Sequence, residues 1–261
     1  MDFYPLIRTS LLAVATVSIA LTSTISAATL SGSFSVYDNE RVDLTALGDV
    51  DWAYWNYTNS NGAFQPASNI TNRKNGGTAI QSPTVIGSGN LRGSSSLTEV
   101  DISYTDGTNP ETASGNNMSG IFSSAIATAG AGISIDIVLP EAGTTYYITL
   151  WGSEYATQTS GDTGGIFTAS LSGASDYTYD AFYGAPTIPK PSGVYSIVAV
   201  ADNNNDILTL SYVLPSETNT NGHVIYDALT VSAVPEPAEY ALVIGCAALI
   251  GLIIQRRRQR N

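Results

Sequence analysis

Residues 133–140 read Ile133-Ser134-Ile135-Asp136-Ile137-Val138-Leu139-Pro140, with an apolar side chain at every second position. A strand turns successive side chains to opposite faces, so this spacing buries one face and leaves the other open. Pro140 lacks a main-chain donor and ends the run. The same period recurs outward from it. Tyr146, Ile148 and Leu150 alternate with Tyr147, Thr149 and Trp151, and Phe167, Ala169 and Leu171 repeat the pattern up to Gly173. Residues 194–201 and 207–214 flank Asp202-Asn203-Asn204-Asn205-Asp206, which reads as a hairpin turn, and 224–234 is the last strand. Residues 56–96 are rich in Gly, Asn and Ser, which predicts long loops with one or two edge strands. No body segment carries a helical stripe of useful length, and no fixed-period repeat suggests a solenoid or propeller. The expectation is an all-β body over 29–233, an antiparallel two-sheet sandwich of jelly-roll-like type.

Composition supports an exported β-protein. Only 12% of the 261 residues are charged, about half the usual share, while Gly (24) and Tyr (15) are abundant. The 43% apolar fraction is enough to build a core. The formal net charge is −12, and the body holds most of the acid: Arg41, Arg73, Lys74, Arg92 and Lys190 face nineteen carboxylates. Such a body repels phosphate backbones, which argues against nucleic-acid binding. Cys246 is the one cysteine and His223 the one histidine, so neither a disulfide within the chain nor a Cys–His metal cluster can form.

The two ends differ from the body. Arg8 precedes an apolar run at 11–21 (LLAVATVSIAL), and Ser26 and Ala28 satisfy the small-x-small pattern of signal-peptidase sites. Residues 1–28 are expected to be a signal peptide cleaved after Ala27 or Ala28. At the other end come Val234-Pro235-Glu236-Pro237-Ala238-Glu239-Tyr240, apolar residues to Ile254, then Gln255-Arg256-Arg257-Arg258-Gln259-Arg260-Asn261. The prolines end the preceding strand and favour extended backbone. Fifteen residues of helix, at ~1.5 Å each, fall short of a ~30 Å hydrocarbon core. The arginines would stay cytoplasmic by the positive-inside rule, leaving the body outside. An undersized span suits a transient stay in the membrane. Cys246 lies in the apolar run, where it reads as a small packing residue.

This Pro-Glu-Pro triplet, apolar helix and terminal arginine cluster closely resemble the PEP-CTERM sorting signal of Gram-negative bacteria that make exopolysaccharide or biofilm matrix. The resemblance covers 234–261. It implies recognition of Pro235, Glu236 and Pro237 by a membrane transpeptidase of the exosortase type, with Arg256, Arg257 and Arg258 as the cytoplasmic retention cluster. Glu239 departs from the commonest tails, where a small or hydroxyl residue is usual. The alternative is a plain C-terminal anchor with no sorting enzyme.

Residues 42–55 (VDLTALGDVDWAYW), Asn72-Arg73-Lys74-Asn75-Gly76-Gly77 and Tyr104-Thr105-Asp106-Gly107 stand out in the body. Together they resemble an accessory β-sandwich module of secreted bacterial proteins, sometimes attached to glycoside-active enzymes. That resemblance implies a sandwich and no particular activity.

Candidate ligand sites are few. Trp52, Tyr54 and Trp55 could stack on sugar faces; in a strand the first two share a face and Trp55 lies opposite. The competing reading is that these aromatics are core. Asp202, Asn204 and Asp206 have calcium-loop spacing, but there is no Gly at the sixth position and Val213 stands where a bidentate Glu belongs. His223 follows Asn221-Gly222 in a predicted turn, and no serine elbow accompanies it. Glu99, Asp101, Glu141 and Glu154 could supply paired carboxylates for glycoside chemistry. Asn56, Asn69 and Asn117 begin acceptor sequons that a Ser/Thr/Asn-rich composition produces by coincidence. No catalytic residue and no obligatory cofactor is expected.

The leading expectation is therefore an exported, non-catalytic cell-surface or biofilm-matrix protein. Signal peptidase, an exosortase and exopolysaccharide are its expected partners. A carbohydrate-binding module built on Trp52, Tyr54 and Trp55, or a secreted glycan-active enzyme, are the alternatives.

Overall fold

The computed structural model describes residues 27–55, 65–66, 72–94, 100–117, 120–126, 128–155, 165–180, 192–215 and 222–234. The leader to residue 26, the tail from 235 with Cys246, Glu99, Asn56 and Asn69 lie outside them. In chain order come β1 (Thr29–Val36), β2 (Val42–Asp43), the four-residue helix α1 (Leu44–Leu47), β3 (Asp51–Tyr54), β4 (Gln65–Pro66), β5 (Asn72–Arg73), β6 (Thr84–Ile86) and β7 (Leu91–Ser94). Then follow β8 (Val100–Tyr104), β9 (Ala113–Asn117), β10 (Gly120–Ser123), β11 (Gly132–Leu139), β12 (Thr145–Tyr155) and β13 (Ile166–Leu171). The last four are β14 (Tyr177–Asp180), β15 (Gly193–Val200), β16 (Asp206–Val213) and β17 (His223–Val234).

A nine-stranded sheet runs β1-β15-β12-β17-β10-β7-β4, with β3 on β17 and β5 on β3. A five-stranded sheet runs β14-β13-β16-β11-β6. The two pack face to face, β1 against β13 and β14, and β17 against β11 and β16. Ile133, Ile135 and Ile137 of the smaller sheet meet Tyr146, Ile148, Leu150 and Ile197 of the larger in one core cluster. Each aliphatic side chain sealed there contributes about 1.5–3 kcal/mol. The all-β sandwich expected from the alternation is present.

The 202–206 segment has the turn chemistry its composition suggests. Asp206 Oδ2 accepts the N–H groups of Asp202 (3.0 Å) and Asn203 (2.9 Å), and Asn205 sits at φ 63°. It does not form a hairpin, however. β15 pairs with β1 and β12 while β16 pairs with β11 and β13, so the turn carries the chain from one sheet to the other. Local Asn and Asp residues specify a reversal, and which sheet receives the next strand is decided by packing.

A third layer was not expected. β2, β8 and β9 form a small sheet, with β2 and β8 parallel, that covers part of the outer face of the nine-stranded sheet. Leu44, Val100, Ile102 and Tyr104 enclose Trp52, Tyr54, Trp151 and Ala228 in a second apolar cluster. Strands under this layer are buried on both faces. β3 is buried at all four positions and β17 from His223 through Val231. β12 shows the change within one strand: Tyr147 is 46% exposed, whereas Leu150 to Glu154 are all buried. A bulge at Trp151/Gly152 shifts the register, so Trp151 faces Ala228, Gly152 faces Tyr226, and Asp227 is the extra residue.

Candidate functional site

The three segments singled out in the sequence converge where the third layer meets β3. Asp51 opens β3 and is fully buried. Its Oδ2 accepts from Arg73 (2.6 Å) and from the Ile80 N–H (2.9 Å), while Oδ1 accepts from the Trp52 N–H (2.8 Å). A Cβ on Gly77 would lie 1.9 Å from Asp51 Oδ1, so only glycine lets the chain pass this carboxylate. Asn72 reaches the opposite way. Its Nδ2 donates to Tyr104 Oη (2.7 Å) and the Pro110 carbonyl, and its Oδ1 accepts from the Thr108 N–H and hydroxyl.

Asp106 closes this clasp. It accepts from the Lys74 ammonium, from Thr45 Oγ1 (2.6 Å) and from Trp52 Nε1 (2.8 Å). Burial alone would raise the Asp106 carboxyl, but those three hydrogen bonds and the Lys74 charge outweigh it and hold it below its ordinary value. Consecutive side chains Asn72, Arg73 and Lys74 thus tie β3, α1 and the 104–110 segment together. Both clasp carboxylates, the buried Asp51 and the partly buried Asp106, meet a cation and further donors, as burial of charge requires.

Further polar groups lie near the Asp227 bulge. Glu154 is 1% exposed; its Oε1 accepts from Tyr212 Oη (2.6 Å) and the Gly165 N–H (2.6 Å), and Tyr195 Oη donates to Tyr212 Oη (2.9 Å). Asp227 Oδ2 accepts from Ser192 Oγ (3.2 Å), and His223 stacks on Phe122 with ring centroids 4.4 Å apart. His223 is the first residue of β17, inside the protein, rather than a turn residue.

The aromatic platform is corrected by this arrangement. Trp52 and Tyr54 do share a face, but the third layer covers it, and Trp55 packs into the main core. Trp52 is 0% and Trp55 1% exposed, so neither indole presents a face to a sugar. Tyr54 and Tyr104 instead line a recess of about 190 Å³ with Pro110 and Ala113. Burial first, then Tyr104 and Asp227, pushes the Tyr54 phenol far above its ordinary value.

The other sequence candidates are dispersed. Asp101 pairs with Arg41 (3.0 Å) at the surface, Glu141 is exposed at the end of β11, and Glu154 is interior. In the 202–206 turn, Asp206 and Asn204 are engaged by backbone donors, the latter by the Ala142 N–H (2.8 Å). At the predicted cleavage point Ala27 is exposed, while Ala28 joins the core.

Two features were not legible as sites in the sequence. A groove of about 420 Å³ opens beside Tyr37, Trp151 and Val194, with Val36 and Leu47 exposed at its mouth and Asp38, Glu40 and Asp43 around it. The second is the position of the two ends of the described body. Thr29 pairs with Val200, Val200 with Thr145, and Thr145 with Val234, so both ends leave the same end of the sheet. Among the described residues no helix is long and apolar enough to cross a membrane. In comparisons with known proteins, no family model, curated protein or solved structure matches the chain.

Proposed function

We propose that this chain is an exported, non-catalytic cell-surface or matrix protein, delivered by its N-terminal leader and held briefly at the membrane by its C-terminal helix until an exosortase-type enzyme processes it. The observation that carries the reading is the shared row of Thr29 and Val234. A leader ending at Ala27 or Ala28 and a tail beginning at Pro235 attach at one end of the body, which leaves the opposite end directed away from the membrane. From β11 to β17 the chain crosses between the two main sheets at every step except β13 to β14, which supports the jelly-roll-like description.

The clasp supports a structural role for the body. Asp51, Asp106, Arg73 and Lys74 are spent on joining layers, a rigid arrangement that suits a module exposed outside the cell without disulfides. The test is intact-mass measurement of the mature surface protein. Loss of residues up to 27 or 28, and of everything beyond the Pro235-Glu236-Pro237 triplet, is expected. Retention of residues 254–261 in the surface-exposed form would make the tail a permanent anchor instead.

A second reading, exopolysaccharide binding, is favoured by the groove beside Trp151. Its apolar floor and carboxylate rim offer contacts to sugar C–H faces and hydroxyls. Glycan-array binding abolished by Leu47→Arg would support it, and turnover of a polysaccharide by the purified protein would overturn both non-enzymatic readings.

A further inference from the structure

We infer that β1 is a self-recognition edge, pairing antiparallel with β1 of a second copy of this chain after the leader is removed; leader removal is taken from the function proposed above. β1 is the terminal strand of the nine-stranded sheet and, among the described residues, pairs only with β15. The Tyr37 N–H donates to the Ser192 carbonyl (2.8 Å) in the register that sets Val36 opposite Gly193. In an antiparallel ladder the direction of main-chain groups alternates. The odd residues of β1 therefore point theirs at β15, and Leu30, Gly32, Phe34 and Val36 point theirs away from the sheet.

Such an edge is a template for another strand unless it is guarded by charge, proline or a bulge. β1, Thr-Leu-Ser-Gly-Ser-Phe-Ser-Val, has none of these over eight residues. The neighbouring edge of the smaller sheet, β14, ends in Asp180 with Asp176 just before it. Among the described residues, one side of the sandwich thus has a guarded edge beside an unguarded one.

A second copy suits this edge by register and by charge. Pairing centred on Gly32 sets Leu30 opposite Phe34, Ser31 opposite Ser33 and Ala28 opposite Val36 of the other copy. That register faces the outward main-chain groups of both strands and keeps both five-stranded sheets on one side. A two-fold axis makes the contact self-complementary. The ammonium created by leader cleavage, at residue 28 or 29, then lies beside exposed Asp38 and Glu40 of the other copy, whose Arg41 is turned to Asp101. One strand pair buries less than the ~1,200 Å² of a stable interface, so association is weak in dilute solution and favoured where copies are concentrated. The two C-terminal exits lie at opposite ends of the pair, roughly 20 Å apart along the strands. This joins released copies, or copies on facing surfaces.

The test is sedimentation velocity of the mature, exported protein over a concentration series, with leader removal checked by mass. The sedimentation coefficient is expected to rise with concentration. Ser31→Lys with Ser33→Lys, both at exposed positions, sets lysine opposite lysine and should weaken association at least about tenfold with an unchanged melting temperature. Ser31→Lys with Ser33→Glu sets opposite charges face to face and should restore it. A wild-type monomer at every concentration, unchanged association of the double-lysine variant, or no rescue by the Lys/Glu variant would overturn the pairing. If mass shows that the leader is retained, the function proposed above fails while the same variants still decide the edge. In processed protein, Asp38→Asn with Glu40→Gln should also weaken association.

Discussion

Thr29 and Val234 stand at the two ends of one ladder row of the nine-stranded sheet, with Val200 and Thr145 between them. Three strand spacings of ~4.8 Å separate them by about 14 Å. A linker of about six residues can span that distance. A circular permutant that joins residues 28 and 234 in this way, and opens the exposed β13–β14 tip between Ser172 and Gly173, is expected to fold with the wild-type circular-dichroism spectrum. An unfolded permutant would contradict the shared row.

The Asp51–Arg73 pair gives the sharpest mutational prediction. Arg73→Ala leaves a fully buried carboxylate with backbone donors alone, and is expected to cost about 3 kcal/mol, the low end for a broken buried pair because Arg73 is partly exposed. Gly77→Ala drives a methyl group into the same carboxylate and should cost about 1–3 kcal/mol. Urea denaturation of each variant measures both.

Acid sensitivity follows from Asp106. Its folded-state pKa lies below the ordinary 3.8, so the unfolded chain binds more protons in the window between the two values. The contribution of Asp106 is full above about pH 4 and is lost as pH falls through the lowered value. Denaturation midpoints should hold from neutral pH down to that point and then drop, with a smaller drop in Asp106→Asn.

Alkaline sensitivity has the opposite sign. Burial raises the phenols of Tyr54, Tyr104, Tyr146, Tyr177 and Tyr226. Above pH 10 the unfolded chain loses protons that the folded chain keeps, so stability falls as pH rises toward the folded values. Tyrosinate absorbance of these groups should appear together with the loss of β-sheet ellipticity, not before it.

All three tryptophans are interior, at 0%, 1% and 3% exposure for Trp52, Trp55 and Trp151. Emission should be blue-shifted and poorly quenched by iodide. Trp52→Phe keeps an aromatic ring but leaves part of the indole site empty and loses the hydrogen bond to Asp106, and is expected to cost at least about 1–2 kcal/mol in a thermal or urea melt.

Local spacing is enough to place the strands that are buried on one face. β13, β15 and β16, and β11 from Ile133 onward, alternate between buried and more open positions, because one face meets the core and the other does not. The sequence also carried the reversal at 202–206 and the segments that form the clasp. Tertiary structure alone decided the rest. Trp52 and Trp55 are open in sequence to both a platform and a core reading, and the choice falls to core because the third layer covers one face of β3 and the sandwich the other. In β17 the alternation disappears, because a strand enclosed on both sides has no polar face to display. The partners of Asp51 and Asp106 lie 22 and 32 residues away, and their pairing depends on the fold bringing β5 beside β3, a relation no local spacing encodes.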